Sequence, residues 1–517
     1  MRRPRGCRVE SVVTDIHGAV PQLHDYVEHA ARVAGDKVAL VRGSARLTFG
    51  AIDRRANHLA HLLIERGVGR GDRVIVFGEN TVETVVAFWA VLKANAVVSI
   101  VNPQTKAEKL AYYLIDCRAA FLITAEQLGG VWRAAAALSP HLKGVIAGPD
   151  DPAFTTEREA PPPRTGLDVD LAAIIYTSGS TGDPKGVMLT HRNMLTAAAS
   201  ISGYLRMQDD DVILGVLPLA FDYGLYQLIM STRVGARLVL GRSFAFPAQV
   251  LQLMVDEGVT GFPGVPTVFA VLAELKGLRE FDLSRVRFVT NTAAALPVKH
   301  IRVLRDLFPG ARIYSMYGLT ECKRCTYLPP EDIDRKPTSV GIAIPNTELW
   351  LIDEHGEKVG PNTVGQLVIR GATVMRGYWE KPEATALKLK PGPLPGETVL
   401  HTGDLCRLDE DGYLYFVGRM DDIIKSRGEK IAPKEIEHVL YDIAGVRDAA
   451  VIGIPDDILG AAVKAFVVLE AGAALTAKDI QRECQARLEN FMVPKFVEIV
   501  PDLPRTATGK ILKTGLR

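Results

Sequence analysis

Tyr176-Thr-Ser-Gly-Ser-Thr-Gly-Asp-Pro-Lys-Gly-Val187 is the stretch on which the reading of this chain turns. Just before it, Leu171-Ala-Ala-Ile-Ile-Tyr-Thr177 is a short apolar run with β-branched content, the pattern of a buried strand. From Thr177 to Gly182 every residue is Gly, Ser or Thr. Such a loop presents closely spaced backbone N–H groups without side-chain bulk, so the main chain can wrap around an anion. Asp183-Pro184 ends the loop and Lys185 adds a positive charge. A bare Gly/Ser run reads as readily as a flexible surface turn, but the strand, the proline and the lysine together select a phosphate cradle. It is not a Walker loop, G-x-x-x-x-G-K-[ST], because Lys185 is followed by Gly186 and the spacing differs.

The rest of the chain supplies the setting. A length of 517 residues exceeds one compact core, and at roughly 100–200 residues per domain it predicts about three units. Basic and acidic residues balance, 61 against 60, so charge gives no reason to expect nucleic acid or an anionic membrane as partner. Six cysteines in a chain of this size do not make a disulfide scaffold, which favours a reducing, cytoplasmic setting. The basic start, Met1-Arg-Arg-Pro-Arg-Gly-Cys-Arg8, is followed by no apolar core of signal-peptide length and reads as a solvated arm. The most apolar region, Val85 to Val101, is interrupted by Lys93 and Asn95, so it reads as helix–turn–strand rather than a membrane span.

Strand-like and helix-like segments alternate along most of the chain. Helical patterns cover Leu23 to Ala34, Ala51 to Arg66, Val82 to Ala94 and Ala107 to Cys117; strands are expected at Lys37–Val41 and Arg46–Phe49 (a hairpin), Asp72–Phe77, Val97–Val101 and Ala119–Thr124. After the cradle, Val212–Leu217, Ala236–Leu240, Val259–Phe262, Val286–Thr290 and Ala311–Ser315 continue the alternation. The fold class is therefore α/β, with two doubly wound sheets. From Ser339 to Val417 the pattern changes to Glu348–Ile352, Gly365–Arg370 and Tyr413–Val417, a small β-barrel-like unit. Beyond Asp421 the helix Lys434–Tyr441, strands Ala449–Gly453 and Ala461–Leu469, helix Ala477–Leu488 and strand Lys495–Val500 form a small α+β domain. The expected division is an N-terminal domain over 1–420 and a C-terminal domain over 421–517.

The loop at Thr177 to Gly186 resembles the signature of the adenylate-forming superfamily, which includes acyl-CoA synthetases, adenylation domains of nonribosomal peptide synthetases and luciferases. Further motifs occur in that superfamily's order. Met316-Tyr-Gly-Leu-Thr-Glu321 follows a strand at its carboxyl end, where open α/β sheets place ligands. The resemblance implies that Tyr317 stacks on adenine, Thr320 touches the α-phosphate and Glu321 helps hold Mg²⁺, a hard oxygen ligand for a hard cation. It likewise implies that Thr177, Ser178, Gly179, Ser180, Thr181, Gly182 and Lys185 hold the polyphosphate of ATP. Asp404, in His401-Thr-Gly-Asp404, would accept the ribose hydroxyls. In Gly418-Arg-Met-Asp-Asp-Ile-Ile-Lys-Ser-Arg-Gly-Glu-Lys430, Arg419 would reach the ribose, Asp421 would be the hinge, and Arg427 and Gly428 would flank the pantetheine of CoA. Lys510, in Pro504-Arg-Thr-Ala-Thr-Gly-Lys510, would bridge the acid and the α-phosphate, where a cation offsets the negative charge that gathers during attack. By the same resemblance the acyl pocket involves Phe221, Asp222, Tyr223, Gly224, Gly264, Val265, Asn291, Thr292 and Met316.

Two departures from the superfamily pattern stand out. Before Leu296-Pro297 the chain reads Asn291-Thr-Ala-Ala-Ala295, where a glycine-rich loop is usual. At Leu217-Pro-Leu-Ala-Phe-Asp-Tyr-Gly-Leu-Tyr226 a Phe-Asp pair resembles that of amino-acid-adenylating domains, whose aspartate holds an α-amino group; the Phe-Asp-Tyr-Gly form also resembles bacterial acyl-CoA ligases of specialised metabolism. Cys322 and Cys325 have no second pair at ligand spacing and read as structural, as do His191 and His401. The resemblance implies an AMP-forming acyl-CoA synthetase that uses ATP, Mg²⁺ and CoA on a carboxylic acid. The alternatives are a freestanding enzyme loading an amino or carboxylic acid onto a carrier protein, and an enzyme performing mainly the thioester step from a supplied acyl-adenylate.

Overall fold

The structure, a computed structural model, describes residues 21–148, 151–177, 184–241, 244, 246–275, 277–292, 296–426, 429–456, 459–505 and 511–516. The basic arm, most of the Gly/Ser/Thr loop, the Ala-rich loop, Arg427, Gly428 and Lys510 lie outside those residues. The chain divides into two compact units. The first comprises residues 1–334, 343–348 and 370–389, and the second 335–342, 349–369 and 390–517.

The first unit is α/β, as the alternation predicts. One sheet carries, in spatial order, Gly377–Tyr378, Lys185–Thr190, Leu171–Thr177, Val97–Val101, Arg73–Phe77, Ala119–Thr124 and Gly144–Ala147. Its central strands are parallel and apolar on both faces, as buried parallel strands must be. Helix Val82–Lys93 is buried along almost its whole length, from Thr84 to Lys93. Lys93, which breaks the apolar run, is a core lysine held by Glu28 at 2.7 Å and Asp53 at 2.9 Å, and Val97–Val101 follows as a strand. The expected helix–turn–strand is what forms. Among the described residues no helix is long and apolar enough to cross a membrane.

The second sheet of this unit brings Arg312–Tyr317, Phe288–Asn291, Gly261–Gly264, Val212–Gly215 and Arg237–Leu240 side by side and parallel. The hairpin Val38–Arg42/Ala45–Thr48 forms as expected, but it does not join its sequence neighbours: Val38–Arg42 pairs in parallel with Arg237–Leu240. Lys185–Thr190 is a strand that alternation alone does not announce. It runs antiparallel to Leu171–Thr177, with Thr177 opposite Lys185, so the Gly/Ser/Thr segment connects the two arms of a hairpin.

Thr347–Ile352, Val364–Gly371, Leu389–Pro391, Thr398–Leu408 and Leu414–Arg419 form a five-stranded sheet, the expected β-rich element, most of whose residues belong to the second unit. The C-terminal part packs helices Pro433–Tyr441 and Ala477–Arg487 with an antiparallel pair, Val446–Asp456 and Gly460–Leu469, to which Phe496–Ile499 adds in parallel. Its core is aliphatic, with Ile436, Leu440, Val451, Ala465, Val467 and Ile480 fully or almost fully buried.

Candidate functional site

Parallel strands place their carboxyl ends on one edge, and that edge collects most of the expected acyl-pocket residues. Asn291 and Gly264 end adjacent strands and Met316 is next to last on the strand beside them, with Gly264 in register with Asn291 and Asn291 with Ser315. Thr292 and Val265 follow directly and are buried. Helix Asp222–Val234 brings Asp222, Tyr223 and Gly224 to the same sheet, with Phe221 as its N-cap. The Tyr223 hydroxyl donates to the Thr290 carbonyl at 3.0 Å and lies 2.5 Å from the Thr290 hydroxyl, tying helix to strand. Burial raises that hydroxyl to about 12, although Arg324 and the Thr290 bond pull it the other way. Two of the glycines serve packing. A Cβ on Gly224 would lie 2.2 Å from the Pro218 carbonyl oxygen, and one on Gly264 would lie 2.5 Å from the Phe269 ring.

Three of the residues around the expected nucleotide site form a chain of contacts. Lys185 follows the Gly/Ser/Thr segment, and its Nζ lies 5.6 Å from the centre of the Tyr378 ring. The Tyr378 hydroxyl donates to Glu321 Oε1 at 2.6 Å. One tyrosine thus spans from the lysine of the cradle to the carboxylate of the Tyr317–Glu321 turn. That hydrogen bond orients Glu321, and among the described residues nothing pairs with its second carboxylate oxygen or with the Lys185 ammonium. A half-exposed carboxylate with one oxygen available fits Mg²⁺, which takes one or two carboxylates and completes its shell with phosphate oxygens and water. Among the described residues there is no cluster of three or more acidic, His or Cys side chains that could hold a metal.

The turn itself is a tight return. Cys325 N–H donates to the Tyr317 carbonyl at 2.9 Å, and Met316–Tyr317 pairs antiparallel with Thr326–Tyr327. Gly318 makes this possible: a Cβ there would lie 2.5 Å from the Lys323 carbonyl oxygen and 2.8 Å from the Arg324 Cα. The two cysteines are buried without a disulfide between them, their sulfurs 2.8 Å apart.

The two residues between them are not surface charges. Lys323 is buried, in the left-handed region at φ 60°, which costs a non-glycine residue roughly 1–2 kcal/mol. Its Nζ is 3.3 Å from Asp222 Oδ2 and 4.1 Å from the centre of the Tyr226 ring. Burial pushes the ammonium down to about 7, against the pull of Asp222 and assisted by Arg324. Arg324 is 2 % exposed, with its guanidinium 5.1 Å above Tyr223. A desolvated cation–π contact contributes about 2 kcal/mol, less than the several kcal/mol that removing an ion from water costs. Reading the sequence missed both residues, since a Lys-Arg pair usually marks a solvated turn. The signal available was their position, directly behind Glu321 and flanked by two apolar cysteines.

In the second unit Asp404 and Arg419 sit opposite each other on paired strands, with Arg419 Nη1 3.6 Å from Asp404 Oδ1. Asp404 is buried, and its backbone N–H is held by the Thr402 hydroxyl at 3.0 Å. Arg419 Nε donates to Asp421 at 2.9 Å, so the expected hinge residue braces the expected ribose arginine. His401 approaches Gln366 at 3.3 Å. Arg505 and Ile511 face each other in an antiparallel bridge, and Lys510 lies outside the described residues. His191, in the first unit, is buried with Nδ1 accepting from Leu23 N–H at 3.0 Å, a structural role as expected.

These features define a two-unit α/β protein whose candidate site gathers at the carboxyl edge of a parallel sheet. Residues 27–379 match the AMP-binding enzyme family and residues 435–510 match the AMP-binding enzyme C-terminal domain. A feruloyl-CoA synthase from Amycolatopsis is 35% identical over 489 residues, 94% of this chain and 96% of that one. A long-chain-fatty-acid–CoA ligase from Bacillus subtilis is 32% identical over 519 residues, 93% of this chain and 91% of its own. The crystal structure of ATP-bound MatB from Rhodopseudomonas palustris superposes with a TM-score of 0.88 at 29% identity, covering 96% of this chain and 98% of that one. The chain belongs to the AMP-binding enzyme family, and the two relatives are named as a CoA synthase and a CoA ligase.

Proposed function

We propose that this protein is an ATP-dependent, AMP-forming acyl-CoA synthetase of specialised metabolism, acting in the cytoplasm with Mg²⁺ and CoA. A carboxylate oxygen of the acid attacks the α-phosphorus of ATP, the bond between the α-phosphorus and its bridging oxygen breaks, and pyrophosphate leaves. The thiolate sulfur of CoA then attacks the acyl carbonyl carbon, and AMP departs with the bonding pair. Within this scheme Lys185 and the Thr177–Gly182 segment, with Thr181 as a catalytic member, hold the phosphates through main-chain N–H groups and one fixed charge. Tyr378 orients Glu321, which would hold Mg²⁺; the ion would neutralise charge on the polyphosphate. Tyr317 offers its face to adenine, Thr320 its hydroxyl to the α-phosphate, and Asp404 with Arg419 the ribose contacts. Lys510 serves the first step, Arg427 and Gly428 the second, and the domain over 421–517 turns about Asp421 between them.

The observation that carries this reading is the Lys185–Tyr378–Glu321 chain of contacts, in a member of this family whose relatives are CoA ligases. Loading of an amino acid onto a carrier protein has less support, because Asp222, the residue that would hold an amino group, already faces Lys323. The test is AMP release against a panel of carboxylic acids, with and without CoA. Acid-dependent AMP release that CoA accelerates is the expected result, and it would also exclude an enzyme confined to the thioester step. Strong turnover with amino acids, lost in Asp222→Ala, would overturn the proposal in favour of amino-acid loading.

A further inference from the structure

The adenylation scheme leaves Lys323 and Arg324 unused, and their surroundings are unusual. Arg324 is almost fully buried, and among the described residues its Nε has no hydrogen-bond partner and no carboxylate pairs with its guanidinium. The charged and titratable groups that act on this cluster are Lys323, Asp222, Cys322, Tyr204, Tyr223 and Tyr226. Asp222 is the one acid among them, and its Oδ2 already faces Lys323. With all three ionised, Lys323, Asp222 and Arg324 carry a net positive charge in a place without bulk water. The Tyr223 face offsets part of that cost, and an anion would offset the rest.

Location says which anion. Gly318 pins the backbone of Lys323 and Arg324 against the turn that carries Tyr317 and Glu321. Tyr223, beneath the guanidinium, is bonded to Thr290 on the strand that ends in Asn291. A small cavity lined by Val98, Ile100, Ala173, Ile175 and Asp222 adjoins the pair through Asp222. The cation pair therefore borders the edge proposed to bind the acyl group.

We infer that Arg324, with the Lys323–Asp222 pair beside it, forms an anion-recognition subsite, and that the acid this enzyme activates carries a second carboxylate remote from the one that reacts. This rests on the ligase reading of the same site and narrows its substrate class. A planar guanidinium can grip a carboxylate with two parallel hydrogen bonds. A monocarboxylic acid of the same length would leave it desolvated and unpaired, and that penalty rejects the wrong substrate.

The experiment compares AMP release on matched sets: a dicarboxylic acid, the monocarboxylic acid of equal length, and the monoamide of the diacid. Wild type is expected to prefer the dicarboxylate on the order of 10²-fold in kcat/KM, mainly through KM. Arg324→Met should remove that preference while retaining turnover on the monocarboxylate, and Arg324→Lys should keep part of it. A merely structural Arg324 would lower all three substrates together and leave the ratio unchanged, which would overturn the inference. Equal or better use of monocarboxylates by wild type would also overturn it. Thermal melting supplies a second readout on the unaltered protein: the dicarboxylate is expected to raise Tm and the monoamide is not, and equal shifts would count against the subsite. If no acid released AMP, the ligase reading would fall, and the melting shifts would still decide whether Arg324 binds a second carboxylate.

Discussion

Glu321 depends on one hydrogen bond for its direction. Tyr378→Phe removes that donor and leaves the ring against Lys185. A hydrogen bond to a charged group contributes about 1.5–3 kcal/mol, so this substitution should lower kcat/KM by roughly 10–100-fold. If Glu321 holds the metal, the Mg²⁺ concentration for half-maximal AMP release should also rise; an unchanged Mg²⁺ requirement would remove Glu321 from that role. His191 gives a second test at this scale, on stability. Burial lowers its imidazole to about 4 from 6.5, so the folded state holds it neutral where the unfolded chain would be protonated. Its contribution to stability is complete above pH 6.5 and is lost as pH falls through the window down to 4. About 2 kcal/mol should disappear between pH 7 and pH 5 from His191 alone. His24, also buried, shifts in the same direction. Urea unfolding at the two pH values measures this, and His191→Gln should flatten the slope; a pH-independent midpoint across the window would contradict it.

The C-terminal helix Pro433–Tyr441 is anchored by a buried carboxylate. Glu437 is 1 % exposed, accepts from Val451 N–H at 3.0 Å, and lies 2.8 Å from both Lys434 and Lys513. Burial alone would raise its carboxyl, but the two lysines hold it below the usual range. Removing one member of a buried ionic group leaves uncompensated charge, which costs about 3–5 kcal/mol; with both lysines partly exposed, Glu437→Leu should cost about 3 kcal/mol. The loss would appear as a separate early melting transition, and an unaltered melting profile would refute the assignment. At this scale most elements were legible in the sequence, because a helix of period 3.6 and a buried β-branched strand leave unmistakable patterns. What escaped was non-local. Nothing in Val38–Arg42 says that its partner is Arg237–Leu240 rather than a strand nearer in sequence. Lys185–Thr190 opens with a charge and a glycine, so its strand character shows only through pairing with Leu171–Thr177. The motif residues of the proposed site stand out in the sequence because each carries a distinctive chemistry. Lys323 and Arg324 were not, since burial of a charge is decided by how the turn at Gly318 folds back.

Over the whole molecule, the proposed reaction asks two half-reactions of one chain. Lys510 would serve only the first, so Lys510→Ala should lower adenylation on the order of 10²–10³-fold, the cost of one lost charge-stabilising donor. Thioester formation from supplied acyl-adenylate should be largely spared. Equal loss in both half-reactions would refute the role given to Lys510 and with it the turn about Asp421.

Adenylation can be watched directly as acid-dependent exchange of pyrophosphate into ATP, with CoA omitted. We predict exchange that requires both Mg²⁺ and a carboxylic acid and that Glu321→Gln abolishes while the fold persists. ATP binding without exchange, for every acid offered, would contradict the central claim.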